Sequence, residues 1–265
     1  MFKIFSVLAL LASSSVYADL KVTVFDCGEL NFPDVSAFGL SNDETSVRKL
    51  FVPCYLIQHA EHLMVWDAGL PLTDVGQTSG NSRYEKSFLD QLADMDIAPS
   101  DIDLVAFSHM HYDHVGAANA FTDSTLLIQE TEAVAAFEHP EDNPVFRAEL
   151  YNELRNADRR SLNGDYDVFG DGSVRIIAAP GHTPGHQVLY LDLNNYGPLI
   201  LSGDLYHFEA SRALRRIPVF NTNVEDTLNS MDKIEELLIS SGATFWIEHS
   251  KQLAESLNLA PAFYD

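Results

Sequence analysis

The sequence predicts a single mixed α/β domain. Three observations support this reading. Short strand-like apolar runs alternate with amphipathic helical segments from Ser87 onward. No low-complexity linker or short repeat divides the chain. An apolar fraction of 46% in 265 residues is enough to bury a substantial core. The same composition excludes a disordered chain and a small disulfide-stapled scaffold. With 39 Asp and Glu against 16 Lys and Arg, the formal net charge is −23. Such a charge repels phosphate backbones and anionic lipid surfaces, and short basic groups such as Arg212, Arg215 and Arg216 do little against it. Nucleic acid is therefore not an expected partner.

Residues 1–18 read as a signal peptide and residues 19–265 as the mature domain. Lys3 precedes an uncharged run from Ile4, and Val16-Tyr17-Ala18 places small residues at positions −3 and −1 of a cleavage site. The run is shorter than the roughly 20 residues that cross a bilayer as a helix, so no stable membrane anchor is expected. This points to an exported protein, periplasmic or secreted. Export permits a disulfide between Cys27 and Cys54, but both lie in apolar strand-like runs that equally suit buried free thiols.

In the mature chain, Val22 to Phe25, Val52 to Gln58 and Leu63 to Trp66 read as strands, with Asp67-Ala68-Gly69 breaking the third. Ser87 to Asp96 has helical spacing through Phe88, Leu92 and Met95, Leu104 to Phe107 is a strand, and a further helix is expected to begin at Ala117. Leu126 to Gln129 reads as strand and Glu130 to Phe137 as helix, followed by an insertion from His139 to Asp165. Strands return at Val174 to Ala178, Val188 to Leu191 and Leu199 to Leu201. The last helix shows Val224, Leu228, Met231, Ile234 and Leu238 on one face, with Asn223 to cap its start and Gly242 to end it. Phe245 to Ile247 closes the pattern as a strand.

Five of the ten histidines stand at the ends of these strands. After Leu104 to Phe107 come His109, His111, Asp113 and His114. His109 and His111 are two apart, so in extended chain they point the same way and can grip one metal ion. Asp113 and His114 follow as the chain turns, which aims them at a second ion nearby. After Val174 to Ala178, the turn Pro180-Gly181-His182-Thr183-Pro184-Gly185-His186 offers His182 as a ligand, with His186 as a buried hydrogen-bonding group behind it. Strand Leu199 to Leu201 ends in Asp204 and strand Phe245 to Ile247 in His249. Singly, such residues are usually caps or satisfied polar groups; four converging strand ends make a metal site the stronger reading. His59, His62 and His139 lie in polar turns and are assigned no chemistry.

The ordered set HMHYDH, PGHTPGH, LSGD and IEH, with the turn Trp66 to Gly69, resembles the metallo-β-lactamase superfamily over nearly the whole mature chain. The resemblance implies an αββα sandwich of two mixed sheets flanked by helices, with a dinuclear site at one edge. It assigns His109, His111 and His182 to one ion, Asp113, His114 and His249 to the other, and Asp204 to both. The ligands suit two Zn²⁺ and also accept iron, manganese or cobalt.

Within the superfamily, N-acyl-homoserine lactonases are the nearest resemblance, through Pro53 to His59, Ser108 to Phe121, Pro180 to Gln187 and the helix from Asp226 to Leu238. The expected reaction is opening of the lactone ring by a hydroxide bridging the two ions, with Asp113 or Asp204 passing a proton to the leaving alkoxide. Many of these lactonases carry a tyrosine three positions after the bridging aspartate. Here that position is His207 and the tyrosine is Tyr206, so either is a candidate to polarise the carbonyl. Met110, Tyr112, Phe146 and Tyr151 are candidates to line an acyl groove. Phosphotriester hydrolysis by the same hydroxide is the alternative reaction, and a binding protein without turnover is the alternative class. Acyl-chain length, the ion loaded and oligomeric state are not encoded in these motifs.

Overall fold

Two sheets face each other in the computed structural model, which describes residues 19–78 and 80–265. The expected signal peptide lies outside the described residues. The first half of the chain supplies β1 (Leu20–Asn31), β2 (Lys49–His59), β3 (His62–Ala68), β4 (Ser82–Arg83), α1 (Phe88–Ala93), β5 (Leu104–Ala106), β6 (Thr125–Gln129), α2 (Glu130–Phe137) and β7 (Arg159–Leu162). There follow β8 (Tyr166–Asp167), β9 (Val174–Ala178), β10 (Gln187–Leu193), β11 (Gly197–Leu201), α3 (Glu209–Leu214), α4 (Val224–Ser241), β12 (Thr244–Trp246), α5 (Lys251–Ala254) and β13 (Phe263–Tyr264). The larger sheet has the order β13-β1-β2-β3-β5-β6-β7 with β4 on β1, and the smaller the order β12-β11-β10-β9-β8.

Side-chain alternation along the strands builds four layers. Val22, Val24, Met64, Trp66 and Ala106 of the larger sheet meet Ile176, Leu189, Leu191 and Leu201 of the smaller in a common core. The opposite face of the larger sheet, with Phe25, Val65 and Val105, packs under Phe88 and Leu92 of α1 and Ala133, Ala136 and Phe137 of α2. Ile177, Val188 and Ile200 on the outer face of the smaller sheet take Met231, Ile234 and Leu238 of α4. This is the expected αββα sandwich. Each such aliphatic side chain removed from water contributes about 1.5–3 kcal/mol.

The last helix forms where its signals put it. The Asn223 side chain accepts the Asp226 N–H at 3.1 Å, and Gly242, left-handed at φ 68°, ends the helix with its N–H on the Leu238 carbonyl. Val224 departs from the expected buried face: at the first turn it is 56% exposed. The helix expected from Ala117 is a single 3-10 turn, Ala118–Ala120. The Gly116 and Ala117 N–H groups are already engaged by the Gly69 and Ala68 carbonyls, and Asn119 is tied at both side-chain ends to Glu149 and Glu153. The insertion is mostly 3-10 turns, but its end, β7, pairs parallel to β6.

Cys27 and Cys54 form a disulfide, with Cα atoms 5.8 Å apart, joining β1 to β2. It lies under the Asp67-Ala68-Gly69 turn, where a Cβ on Gly69 would come within 2.4 Å of Cys27 Cβ. Gly69, left-handed at φ 67°, lets that turn lie directly on the bridge.

Strand direction places the candidate ligands together. β3, β5 and β6 are mutually parallel. β9 and β11 are both antiparallel to β10, and β12 is parallel to β11, so these three also share a direction. The segments after β5, β9, β11 and β12 converge at one edge of the sandwich.

Candidate metal centre

Two groups of ligand atoms meet at that edge. His109, His111, His182 and Asp204 form the first, and Asp113, His114 and His249 the second, all buried. His182 Nε2 lies 3.2 Å from His109 Nε2 and 3.1 Å from His111 Nδ1. Asp204 Oδ2 lies 3.1 Å from His182 Nε2 and 3.6 Å from His109 Nε2. The other oxygen, Oδ1, turns to the second group, 2.9 Å from His249 Nε2 and 3.3 Å from His114 Nε2. Asp113 Oδ2 completes that group at 3.7 Å from His249 and 3.9 Å from His114. One carboxylate thus addresses both groups, one oxygen to each.

The residues fit a pair of metal ions. A tetrahedral ion with bonds of about 2.0–2.1 Å sets its ligand atoms roughly 3.3 Å apart, the scale of these separations. Two atoms facing the second position, His114 Nε2 and Asp204 Oδ1, are buried with no hydrogen-bond partner. Orphaned buried acceptors are costly, and a cation satisfies both.

The hydrogen bonds behind the ligands set which ring nitrogen is free. His114 Nδ1–H donates to Asp67 Oδ2 at 2.8 Å, His182 Nδ1–H to Asn221 Oδ1 at 2.9 Å and His249 Nδ1–H to the Phe51 carbonyl at 2.7 Å. His109 Nδ1–H donates to Ser108 Oγ at 3.0 Å, and that hydroxyl donates to Asp67 at 2.9 Å. In each case Nε2 is left to face the centre. Burial and the neighbouring imidazoles hold His109 and His111 well below the usual histidine range, in the neutral form that ligates. Burial alone would raise Asp204, but His207, His249, His114 and His109 around it hold it well below the usual carboxylate range.

His186 stands behind Asp204. Its Nδ1–H donates to the Ala179 carbonyl at 2.9 Å, and its Nε2 accepts the Asp204 N–H at 2.9 Å. Burial, with His182 nearby, pushes its pKa down to about 3, so it remains a neutral acceptor. Gly203 makes this approach possible, because a Cβ there would come within 2.6 Å of His186 Nε2.

His207 and Tyr206 part company. Tyr206 is extended at φ −141°, ψ 134°, so successive side chains leave on opposite sides. His207 turns inward, with Nε2 3.0 Å from Asp204 Oδ2, and lines a cavity of about 270 Å³ beside the ligands. Tyr206 turns into the layer under α4, where its hydroxyl donates to Glu235 Oε1 at 3.2 Å. The structure does not bring Tyr206 to the site. Of the acyl-groove candidates, Tyr112 lines this cavity and Phe146 a neighbouring one, whereas Met110 and Tyr151 are core residues.

Several supporting residues were assigned no role from the sequence. Asp67, at φ 57° near the end of β3, accepts from the Ser108 N–H and hydroxyl and from His114. Its turn is legible in the sequence, but its partners are 41 and 47 residues away. Buried Glu132 on α2 accepts the Met110 N–H at 2.9 Å and the Gly185 N–H at 2.8 Å, tying the two ligand-bearing loops together. Glu248, buried among Trp66, Gly203 and Asp67, is pushed up to about 8 by burial and by Asp67.

The metallo-beta-lactamase superfamily model matches residues 47–240. The chain belongs to the metallo-beta-lactamase superfamily. Within that superfamily it is 32% identical over 237 residues to the N-acyl homoserine lactonase AttM of Rhizobium radiobacter, covering 80% of this chain and 87% of the relative. Its fold is similar to that of a solved quorum-quenching N-acyl homoserine lactone lactonase, with a TM-score of 0.79 at 24% identity over 92% of this chain and 97% of the other. It is also similar to AidC, a dizinc quorum-quenching lactonase, with a TM-score of 0.70 at 18% identity over 94% and 95% of the two chains.

Proposed function

We propose that this chain opens the lactone ring of N-acyl homoserine lactones, using two divalent ions, zinc foremost, and that it does so as an exported protein. The observation that carries the reaction is the placement of Asp204, with one oxygen toward each ligand group, in a chain similar to an N-acyl homoserine lactonase. His109, His111 and His182 would hold one ion, Asp113, His114 and His249 the other, and Asp204 both. Imidazole and carboxylate without thiolate suit zinc and also iron, manganese or cobalt. When bound, such a pair polarises a carbonyl and lowers the pKa of water toward neutrality.

The protein's own residues do the rest. His207 presents its imidazole to the cavity and would donate to the carbonyl oxygen as charge develops there. Asp113, also on the cavity wall, would hold the proton that passes to the leaving alkoxide. Leu30, Phe38 and Phe220 line the cavity with apolar surface against which the apolar part of a substrate would pack.

The test is a substrate panel with metal-analysed protein: C4 to C12 homoserine lactones, a simple γ-lactone, a thioester, a β-lactam and a phosphotriester. The acyl homoserine lactones should have the highest kcat/KM. A phosphotriester or thioester ahead of them would overturn the proposal. Export is supported by the Cys27–Cys54 bond, which suits an oxidising compartment, and by the composition of residues 1–18. N-terminal sequencing of the exported protein should begin at Asp19; an uncleaved chain retained in the cytoplasm would overturn it.

A further inference from the structure

We infer that the Cys27–Cys54 disulfide positions the ligands of the second metal ion, so that the oxidised chain holds that ion more tightly than the reduced chain. The inference rests on the assignment of Asp113, His114 and His249 to a second ion, and adds what keeps two of those ligands in place.

The bond stands where the sheet's own hydrogen bonding is interrupted. The β1–β2 register shifts between Asp26 and Glu29, which leaves Cys27 and Gly28 out of the ladder. Pro53, opposite Asp26, has no N–H to donate. On the other side of β2, the register to β3 shifts between Cys54 and Tyr55. Two fully buried cysteines thus tie β1 to β2 covalently at the place where the ladder fails.

Two ligands of the second ion hang from residues next to this tie. Phe51, just before Cys54 on β2, accepts His249 Nδ1–H at 2.7 Å and donates its own N–H to the His249 carbonyl at 3.2 Å. Ala68 pairs with Cys54, and Gly69 lies on the bridge, where a Cβ would come within 2.9 Å of Cys54 Sγ. From the same stretch, Asp67 accepts His114 Nδ1–H at 2.8 Å and the Ala68 N–H donates to the His114 carbonyl at 2.7 Å. His114 and His249 are therefore each held at ring and main chain from beside the disulfide. The first group depends on it less. His182 is held by Asn221 and His111 lies against Asn143, so only His109 is linked to this stretch, through Ser108. Loosening β1 from β2 displaces the second group before the first.

The experiment strips zinc-loaded, full-length mature protein with increasing chelator and counts the ions released per chain. It compares oxidised wild type, Cys27→Ala with Cys54→Ala, and wild type refolded in a trialkylphosphine. That reductant cleaves the S–S bond to two thiols and becomes the phosphine oxide, with water supplying the oxygen and both protons. The reduced wild type keeps both sulfur atoms in the core, so it separates the covalent tie from lost packing and serves where the double variant does not fold. Without the bond, the second ion should be held about 10–100-fold less tightly, the usual effect of losing support behind a ligand. The first ion should change by less than about threefold, and the same should hold when the bond is removed in a His249→Ala background. Ile234→Ala, buried under α4 and far from the tie in the fold's layers, lowers the unfolding midpoint with the disulfide intact and should release both ions as wild type does. Equal weakening of both ions, no weakening of either, or the same selective loss in Ile234→Ala overturns the inference. A wild type that binds fewer than two ions overturns it together with the two-ion assignment. If the second ion is lost selectively but the oxidised protein opens no lactone, the inference stands and the lactonase reading fails.

Discussion

His186 Nε2 accepts the backbone N–H of Asp204 at 2.9 Å, holding by its main chain the residue whose two carboxylate oxygens face the two ligand groups. His186 is itself fixed by the Ala179 carbonyl, so the hydrogen bond sets where Asp204 sits without spending either of its carboxylate oxygens. A supporting residue and a ligand thus occupy successive positions along one line from β10 to the centre.

Asp204→Asn should therefore cost more than His186→Ala. Removing a residue that orients a ligand typically lowers metal affinity or activity about 10–100-fold. Losing the shared carboxylate should exceed this and lower metal content at the second position first. Metal analysis of gently purified variants, together with kcat/KM, checks the order. Equal losses would place His186 among the ligands.

His207→Ala should lower kcat by about 10²-fold, the effect of losing one oxyanion donor, with metal content intact. Tyr206→Phe should leave kcat within twofold, because its hydroxyl serves Glu235 under α4. Its cost should be to stability, about 0.5–1.5 kcal/mol for one hydrogen bond, read by denaturant unfolding. The reverse kinetic outcome would require Tyr206 to reach the cavity by a backbone shift of one residue.

Glu132→Ala should disturb both ligand-bearing loops at once. It leaves the Met110 and Gly185 N–H groups buried without an acceptor, at about 1–3 kcal/mol each. The expected result is a fall in unfolding midpoint together with weaker metal retention in chelator competition. Loss of stability with wild-type metal retention would show that the loops keep their positions without this tie.

Replacing both cysteines, as Cys27→Ala with Cys54→Ala, should lower stability by about 3–4 kcal/mol through loop-closure entropy, for a bridge spanning 27 residues. Thermal unfolding with and without reductant checks it. Wild type under reductant should approach the double variant, whose own midpoint should not move.

Removing metal with a strong chelator should abolish lactone opening and lower the unfolding midpoint, since a ligand that binds only the native state adds to its stability. Adding back Zn²⁺ should restore both. Full activity at near-zero metal would overturn the dinuclear proposal.

The reach of the sequence is clearest at the ligands. The alternation of His109 and His111 at a strand end, the turn before Asp113 and His114, and single residues at later strand ends are local patterns, and local pattern is what a linear chain records. The mixed α/β domain and the helix from Val224 were legible for the same reason, since strand alternation and helical period state which face is buried; the two-sheet sandwich came from the superfamily resemblance of the motifs. The helix expected from Ala117 did not form, and its long-range ties were not legible: Asn119 is bonded at both side-chain ends to the backbone of Glu149 and Glu153, 30 and 34 residues later in the chain.

Tertiary structure alone decided matters that depend on distant partners. Whether Cys27 and Cys54 bond depended on the register of β1 on β2 and on the irregularity between Asp26 and Glu29. Whether His207 or Tyr206 faces the cavity depended on the extended backbone after Asp204, which sends neighbours to opposite sides. Asp67 and Glu132 acquire their roles only when loops separated by tens of residues meet, since a buried carboxylate is defined by the N–H groups that reach it. Residue type and spacing determined which atoms could hold metal; packing of the two sheets determined which groups support those atoms and which cavity lies beside them.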